Sequence, residues 1–388
     1  MQSAHISLLP IEQIHYGRRA ATTLLQEAER VEARRVLLMA SSSLRRNTDE
    51  VTQLEAALGN RCAATVDGLG QFAPQEQVMA ATHLAQDIDA DLIVTFGGGS
   101  LVDAGKIVAL CLHHGFKTVE QLFPYRIRLD DAGTLVLPAY EGPRVRTVAI
   151  PTTLSAGETG SRTGSLNPAT RTKHSYLHPL LVPRCLIYDP AATVHTPMWM
   201  WLSTGIRALD HAIELICAPR HNPHGDASSL QAIRMLARGL PAVHRDPHDL
   251  AARLDCQYGA SLSLLGRQGN VPLGISHAIG HALGAGCGVP HGYTSCVMMP
   301  HAMHFNRAMV AERHRLIADA MGHSGEDAAD VIAAFVAGLG LPTSLAEVGV
   351  RSERFPAIAA HTMTDPWLHA NPRKANADDV MNILAAAA

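Results

Sequence analysis

The stretch Leu92-Ile93-Val94-Thr95-Phe96-Gly97-Gly98-Gly99-Ser100, continuing as Leu101-Val102-Asp103-Ala104-Gly105-Lys106, decides the fold. Five apolar or β-branched residues suit a strand buried on both faces, and the glycines end it. The residues that follow recur at helical spacing. Upstream the alternation repeats. Leu24, Leu25, Ala28 and Val31 lie at helical spacing, Val36 to Ala40 is a short apolar run, and Val51, Leu54, Leu58 and then Val78, Ala81, Leu84, Ile88 mark two further helices. Strands are expected also at Val145 to Ile150 and Cys185 to Tyr188. Parallel strands joined by helical crossovers are the simplest architecture for this order. After Asp189-Pro190 the strand signals stop, and Ala- and Leu-rich helical segments follow, including Met198 to Cys217, Ala227 to Leu240, Leu250 to Leu265 and Asp327 to Leu339. The expected organisation is an α/β dinucleotide-binding domain over residues 1–186 and an all-helical catalytic domain over 187–388, packed around a cleft.

Composition removes several classes. The 388 residues are 47% hydrophobic and 17% charged, with 32 basic against 35 acidic side chains, so neither disorder nor a nucleic-acid footprint fits. No uncharged apolar run reaches the ~18 residues of a membrane span, and MQSAHISLLP lacks the pattern of a signal peptide. A cytoplasmic protein is expected. Seven scattered cysteines without a CxxC pair read as reduced, mostly buried thiols, Cys287 and Cys296 among them.

The glycine loop has two readings: a phosphate cradle, in which missing Cβ atoms and free N–H groups at a helix start receive an anion, or a plain tight turn. It is not a GxGxxG fingerprint. The strand Val36 to Ala40 ends in Ser41-Ser42-Ser43, followed by Arg45 and Arg46, where an acidic residue would take ribose hydroxyls. Small hydroxyls beside guanidiniums admit a 2′-phosphate, hence NADPH as well as NADH; the alternative is a solvated polar loop.

Twenty-two histidines are the unusual count. His277 and His281 lie four apart and so on one helix face, and His291 follows a Gly/Pro-rich loop. Arg207 and His211 are co-facial in the same way. Together they read as one active site. Trp199 and Trp201 read as packing residues, and Glu158 lies in a small-residue loop with no assigned role.

In these motifs the chain resembles the iron-containing (group III) alcohol dehydrogenases, and within them the maleylacetate reductase branch. The resemblance rests on GGGSLVDAGK, Ile150-Pro151-Thr152-Thr153, Ile187 to Pro190, TGIRALDHAIE, GISHAIGHALG, Pro290 to Ser295 and Asn371-Pro372-Arg373. It implies hydride transfer between a nicotinamide and a carbonyl or alcohol. It further implies that Gly97, Gly98, Gly99 and Ser100 hold the pyrophosphate, that Asp103, Thr152, Thr153 and Lys173 border the nucleotide, and that His211, His277 and His291 are the metal-binding histidines, with His281 an additional active-site histidine. Homodimers or larger assemblies are usual in the family.

The departure is Arg207. Metal-binding relatives carry an aspartate ligand at that position, and maleylacetate reductases typically an asparagine. A guanidinium has no lone pair to offer, and at about 5 Å and an effective dielectric of about 20 its charge repels a divalent ion by roughly 6 to 7 kcal/mol. The expectation is a site without a catalytic iron or zinc, in which Arg207 binds a substrate carboxylate or the developing oxyanion and His281 or His277 donates the proton, with His211 beside them. Asp210 lies about 60° from Arg207 on the helical wheel, so it is expected to pair with a base or cap a turn. Two alternatives stand beside this: Arg207 swings away and leaves a three-histidine metal site in an alcohol dehydrogenase, or the fold serves a non-redox enzyme or binding protein, as in dehydroquinate synthase.

Overall fold

The computed structural model describes residues 5–129, 135–170, 172–269 and 271–388; the first residues of the stretch read above for a signal peptide lie outside them. The chain divides into two compact units, Leu8–His195 and Thr196–Ala388, the latter joined by residues 5–7.

The first unit carries strands β1 (Gln13–Tyr16), β2 (Val36–Ala40), β3 (Cys62–Val66), β4 (Leu92–Gly97), β5 (Arg128–Leu129), β6 (Leu135–Val136), β7 (Thr147–Pro151), β8 (Arg162–Asn167), β9 (Thr172–Leu177) and β10 (Cys185–Tyr188). Its helices are α1 (Ala20–Arg30), α2 (Ser42–Asn47), α3 (Glu50–Leu58), α4 (Gln75–Asp87) and α5 (Gly99–His114). Six strands form a parallel sheet in the order β1-β10-β7-β4-β2-β3, while β5–β6 and β8–β9 are separate antiparallel pairs. Alternation along β2 shows why its run is apolar throughout. Val36, Leu38 and Ala40 pack with Leu24, Leu54 and Leu58, whereas Leu37 and Met39 join the opposite cluster with Val78, Ile107 and Leu110. Helices cover both faces, so the central strands are almost wholly apolar, with Thr95 and Thr147 the buried hydroxyls of β4 and β7.

The expected boundary at 186/187 runs through β10. That strand lies between β1 and β7, and Asp189 just after it accepts the Ala20 N–H at 2.7 Å at the start of α1. The compact unit therefore continues to His195.

The second unit comprises α6 (Met198–Cys217), α7 (Pro223–Arg245), α8 (Leu250–Ser263), α9 (Ile275–Cys287), α10 (His291–Asn306), α11 (Ala311–Met321), α12 (Ala328–Gly338), α13 (Phe355–Thr362), α14 (Pro366–Ala370) and α15 (Ala377–Ala386). Among its described residues there is no strand. Ile275, Ile279 and Leu283 of α9 pack with Val297 of α10, Ile358 of α13 and Leu384 of α15. This fixes one face of α9 in the core. The helix α6 is buried on nearly every side, which takes Arg207, Asp210 and His211 out of water with it. Among the described residues no helix is long and apolar enough to cross a membrane.

Candidate active site

In the first unit three neighbouring strands deliver the loop residues. Register pairs Ala40 with Phe96 and Gly97 with Pro151, so β2, β4 and β7 end together and hand over to Ser41, to Gly98-Gly99-Ser100 and to Thr152-Thr153. Ser41 N–H donates to the Phe96 carbonyl at 3.0 Å, and Thr152 N–H to that of Gly97 at 2.9 Å. The carboxyl ends of such strands are where an open α/β sheet receives a nucleotide. The helix α5 starts at Gly99, and its N-cap Gly98 supplies no side-chain cap. A Cβ on Gly99 would stand 2.6 Å from Ser155 Oγ. The bare helix start, its backbone donors and its dipole fit a pyrophosphate.

Of the other sequence-predicted nucleotide residues, Thr153 keeps its buried Oγ1 without a hydrogen-bond partner among the described residues, while Ser100, Asp103 and Lys173 are engaged with the protein. The Ser100 hydroxyl accepts the Phe72 N–H at 3.0 Å, and Asp103 accepts the Thr163 hydroxyl at 3.1 Å and faces Lys173 Nζ at 3.6 Å. Arg45 is held by Glu55 at 2.6 Å. Beneath the loop, the fully buried Lys106 donates to the carbonyls of Gly157 and Gly160 at 2.6 and 2.7 Å, and burial pulls its ammonium down to about 8. Beside it Glu158, also buried, accepts the Tyr188 hydroxyl at 3.0 Å, and burial pushes its carboxyl up.

In the second unit α6, α9 and α10 bring the histidines together. The rings of His211 and His277 stack with centroids 4.8 Å apart, and those of His281 and His291 at 6.0 Å. Arg207 is 6% exposed, and its Nη1 donates to Thr294 Oγ1 at 3.3 Å and Ser295 Oγ at 3.1 Å. It does not swing out to solvent. Burial lowers its affinity for the proton and the carboxyls of Asp210 and Glu214 restore part of it, so a guanidinium remains. Burial, then the charge of Arg207, holds the imidazoles of His211 and His277 well below their usual range, so both are neutral. Neither His211 Nδ1 nor His277 Nε2 has a hydrogen-bond partner among the described residues.

Asp210 does not cap a turn. Its Oδ2 accepts the hydroxyls of Ser276 at 2.8 Å and Ser295 at 2.6 Å, and burial raises its carboxyl to about 6. Two bases stand against it: His277 Nδ1 lies 3.5 Å from Oδ2, and Ser295 links it to Arg207. Glu214, one turn on, lies 2.7 Å from His277 Nδ1, and burial beside Asp210 pushes its carboxyl well up. Asp365 lies 2.7 Å from His281 Nδ1. Glu214 was detectable as the residue seven along from Arg207 on the same helix face; Asp365, 84 positions from His281, leaves no local signal. Trp201 is fully buried as a packing residue, whereas Trp199 is 43% exposed and lies beside Tyr293.

At the position the resemblance implies for a metal, the guanidinium of Arg207 acts on buried imidazoles, of which His211 Nδ1 and His277 Nε2 have no hydrogen-bond partner among the described residues. Among the described residues, the trios of His, Cys, Asp or Glu ligand atoms lying within 4.8 Å of one another are His15–Glu27–Cys185, Asp210–Glu214–His277 and His304–Asp327–Asp330. The trio His211, His277, His291 is not one of them. In the central trio Glu214 is bonded to His277 Nδ1 and to the N–H groups of Gly274 and Ser276, Asp210 accepts the hydroxyls of Ser276 and Ser295, and a guanidinium stands beside them. Like charge in a buried site opposes a cation.

Comparison with known proteins agrees with this architecture. Residues 11–190 match the model of iron-containing alcohol dehydrogenases, and residues 201–388 that of the Fe-containing alcohol dehydrogenase family, C-terminal. The probable alcohol dehydrogenase EutG of Salmonella typhimurium is 33% identical over 80% of this chain and 76% of its own length. Maleylacetate reductase 2 of Cupriavidus pinatubonensis is 29% identical over 97% of this chain and 94% of its own. The crystal structure of maleylacetate reductase from a Rhizobium species superimposes with a TM-score of 0.84 at 25% identity, covering 100% of this chain and 98% of that one.

Proposed function

The chain belongs to the iron-containing alcohol dehydrogenase family and is an oxidoreductase of that type, and from this premise we propose that it reduces the carbonyl of a carboxylate-bearing oxo acid with NAD(P)H and without a catalytic metal. The observation that carries this reading is the buried guanidinium of Arg207 among the histidines, fixed by Thr294 and Ser295.

NAD(P)H supplies the hydride when bound. As hydride reaches the carbonyl carbon, the π pair moves onto oxygen and an alkoxide develops. Arg207 spends Nη1 on the two hydroxyls, which fixes the plane of its fork and leaves Nε and Nη2 to donate to that oxygen or to a substrate carboxylate. A preorganised charged donor in a buried site is worth roughly 10²- to 10³-fold in turnover. His281, whose Nδ1 is held by Asp365 and whose side chain is 37% exposed, delivers the proton and recovers it from solvent. His277, neutral by burial, is the second candidate as a relay that gives up an Nε2 proton while Nδ1 takes one from the Glu214 carboxyl, and His211 keeps its ring in place by stacking. Ser41 beside the glycine loop supports use of NADPH as well as NADH.

The test is oxidation of NADH and NADPH, followed by nicotinamide absorbance, with a panel of oxo acids and aldehydes after exhaustive chelation. Retained turnover on oxo acids is expected. Loss on chelation with recovery by Fe²⁺ or Zn²⁺ rejects the metal-free reading, and tight cofactor binding without net oxidation rejects carbonyl reduction.

A further inference from the structure

Glu214 and Asn371 meet at one place, the start of α9. Its N-cap is Gly274, which has no side chain to cap the first turn. Two side chains from elsewhere do so instead. Glu214 accepts the N–H of Gly274 at 2.7 Å and that of Ser276 at 2.8 Å, and Asn371 Oδ1 accepts that of Ile275 at 3.2 Å. A Cβ on residue 274 would stand 2.9 Å from Asn371 Oδ1 and 3.0 Å from Glu214 Oε1, so glycine is what lets both approach. Asn371 is itself held by Asn306, amide to amide, at 2.7 and 3.1 Å. The terminal Asn371-Pro372-Arg373 motif thus has a structural task.

The two caps differ in one respect. Asn371 touches only the backbone of α9, whereas Glu214 Oε2 also lies 2.7 Å from Nδ1 of His277. That ring is 1% exposed, is stacked on His211, and has its Nε2 without a partner among the described residues. The carboxyl therefore decides which nitrogen of the imidazole is held by protein and which is offered to the pocket. We infer that Glu214 is a positioning residue: it turns the His277 ring and presents Nε2, beyond its service as a helix cap. The functional half of this inference rests on the proposed use of the histidines in the reaction.

The experiment compares Glu214→Gln with Asn371→Ala in the full-length protein. Four readouts apply: thermal midpoint, NAD(P)H affinity by fluorescence, kcat and KM for the oxo acid, and ¹⁵N-histidine NMR with the His277 ring signals assigned by their loss in His277→Gln. Both variants are expected to lower the thermal midpoint, since each removes a cap from the same turn. Only Glu214→Gln is expected to move the His277 ring signals and to lower kcat at least tenfold with NAD(P)H affinity unchanged. Unmoved ring signals in Glu214→Gln, or an equal loss of kcat in Asn371→Ala, overturn the inference. Signals that move while kcat holds leave Glu214 as the residue that orients the ring and remove His277 from the reaction.

Discussion

Arg207 and Asp210 are joined through one hydroxyl: Ser295 Oγ accepts from the guanidinium at 3.1 Å and donates to Asp210 Oδ2 at 2.6 Å. Both ends are buried, so each charge depends on the other. Replacing Asp210 by Asn leaves the guanidinium without its nearest counter-charge, a change that typically costs roughly 3 kcal/mol in a buried site. Urea unfolding should show that loss, and an unchanged midpoint would mean that Glu214 alone balances Arg207.

The swap at position 207 should be reversible. Arg207→Asp removes the repelling charge and adds a carboxylate near His211 and His277, so the variant should gain thermal stability with added Zn²⁺ or Fe²⁺ while the wild-type midpoint stays where it was. Metal content by mass spectrometry checks the same point. A wild-type protein that carries one equivalent of transition metal contradicts it.

Lys106 has a pH signature. Burial pulls its ammonium down to about 8 from the usual 10.5, so between those values the unfolded chain binds the proton that the native one has released. Stability must then rise with pH across that window, by an amount on the order of 3 kcal/mol, and the penalty is fully present below pH 8. Lys106→Met should flatten the slope while weakening NAD(P)H binding, because the Gly157 and Gly160 carbonyls lose their donor. Unfolding measured from pH 7.5 to 10.5 compares the two.

Cofactor preference should hinge on Glu55. Its carboxylate holds Arg45 at 2.6 Å, which competes with any 2′-phosphate near Ser41. Glu55→Gln should therefore lower KM for NADPH by about three- to tenfold and leave that for NADH unchanged. Equal shifts for both cofactors would place Arg45 outside the ribose site.

What the sequence discloses follows from where periodicity is enforced. Strands buried on both faces, β2 and β4, are apolar or β-branched up to the closing glycine of β4 and are legible as runs. The edge strands Gln13–Tyr16 and Cys62–Val66 are half exposed and mix polar with small residues, and the pair β8–β9 is largely polar, so none carries a clear signal. At the histidine site, spacing of four exposes Arg207 with His211 and His277 with His281. The partners Glu214, Asp365 and Ser295 are set by contacts 63, 84 and 88 positions apart, which no local pattern encodes. Asp210 shows the limit of the helical wheel, since a bridging hydroxyl reaches an acid that lies off the face of Arg207.

The cap on Ile275 comes from a residue 96 positions later in the chain. During synthesis, amino-terminal segments emerge and condense first, so the sheet unit can assemble while the histidine-bearing helix still lacks its last anchor. A chain cut short before Asn371 is therefore expected to bind nucleotide and to show no turnover, because the start of the histidine-bearing helix lacks the amide that closes it.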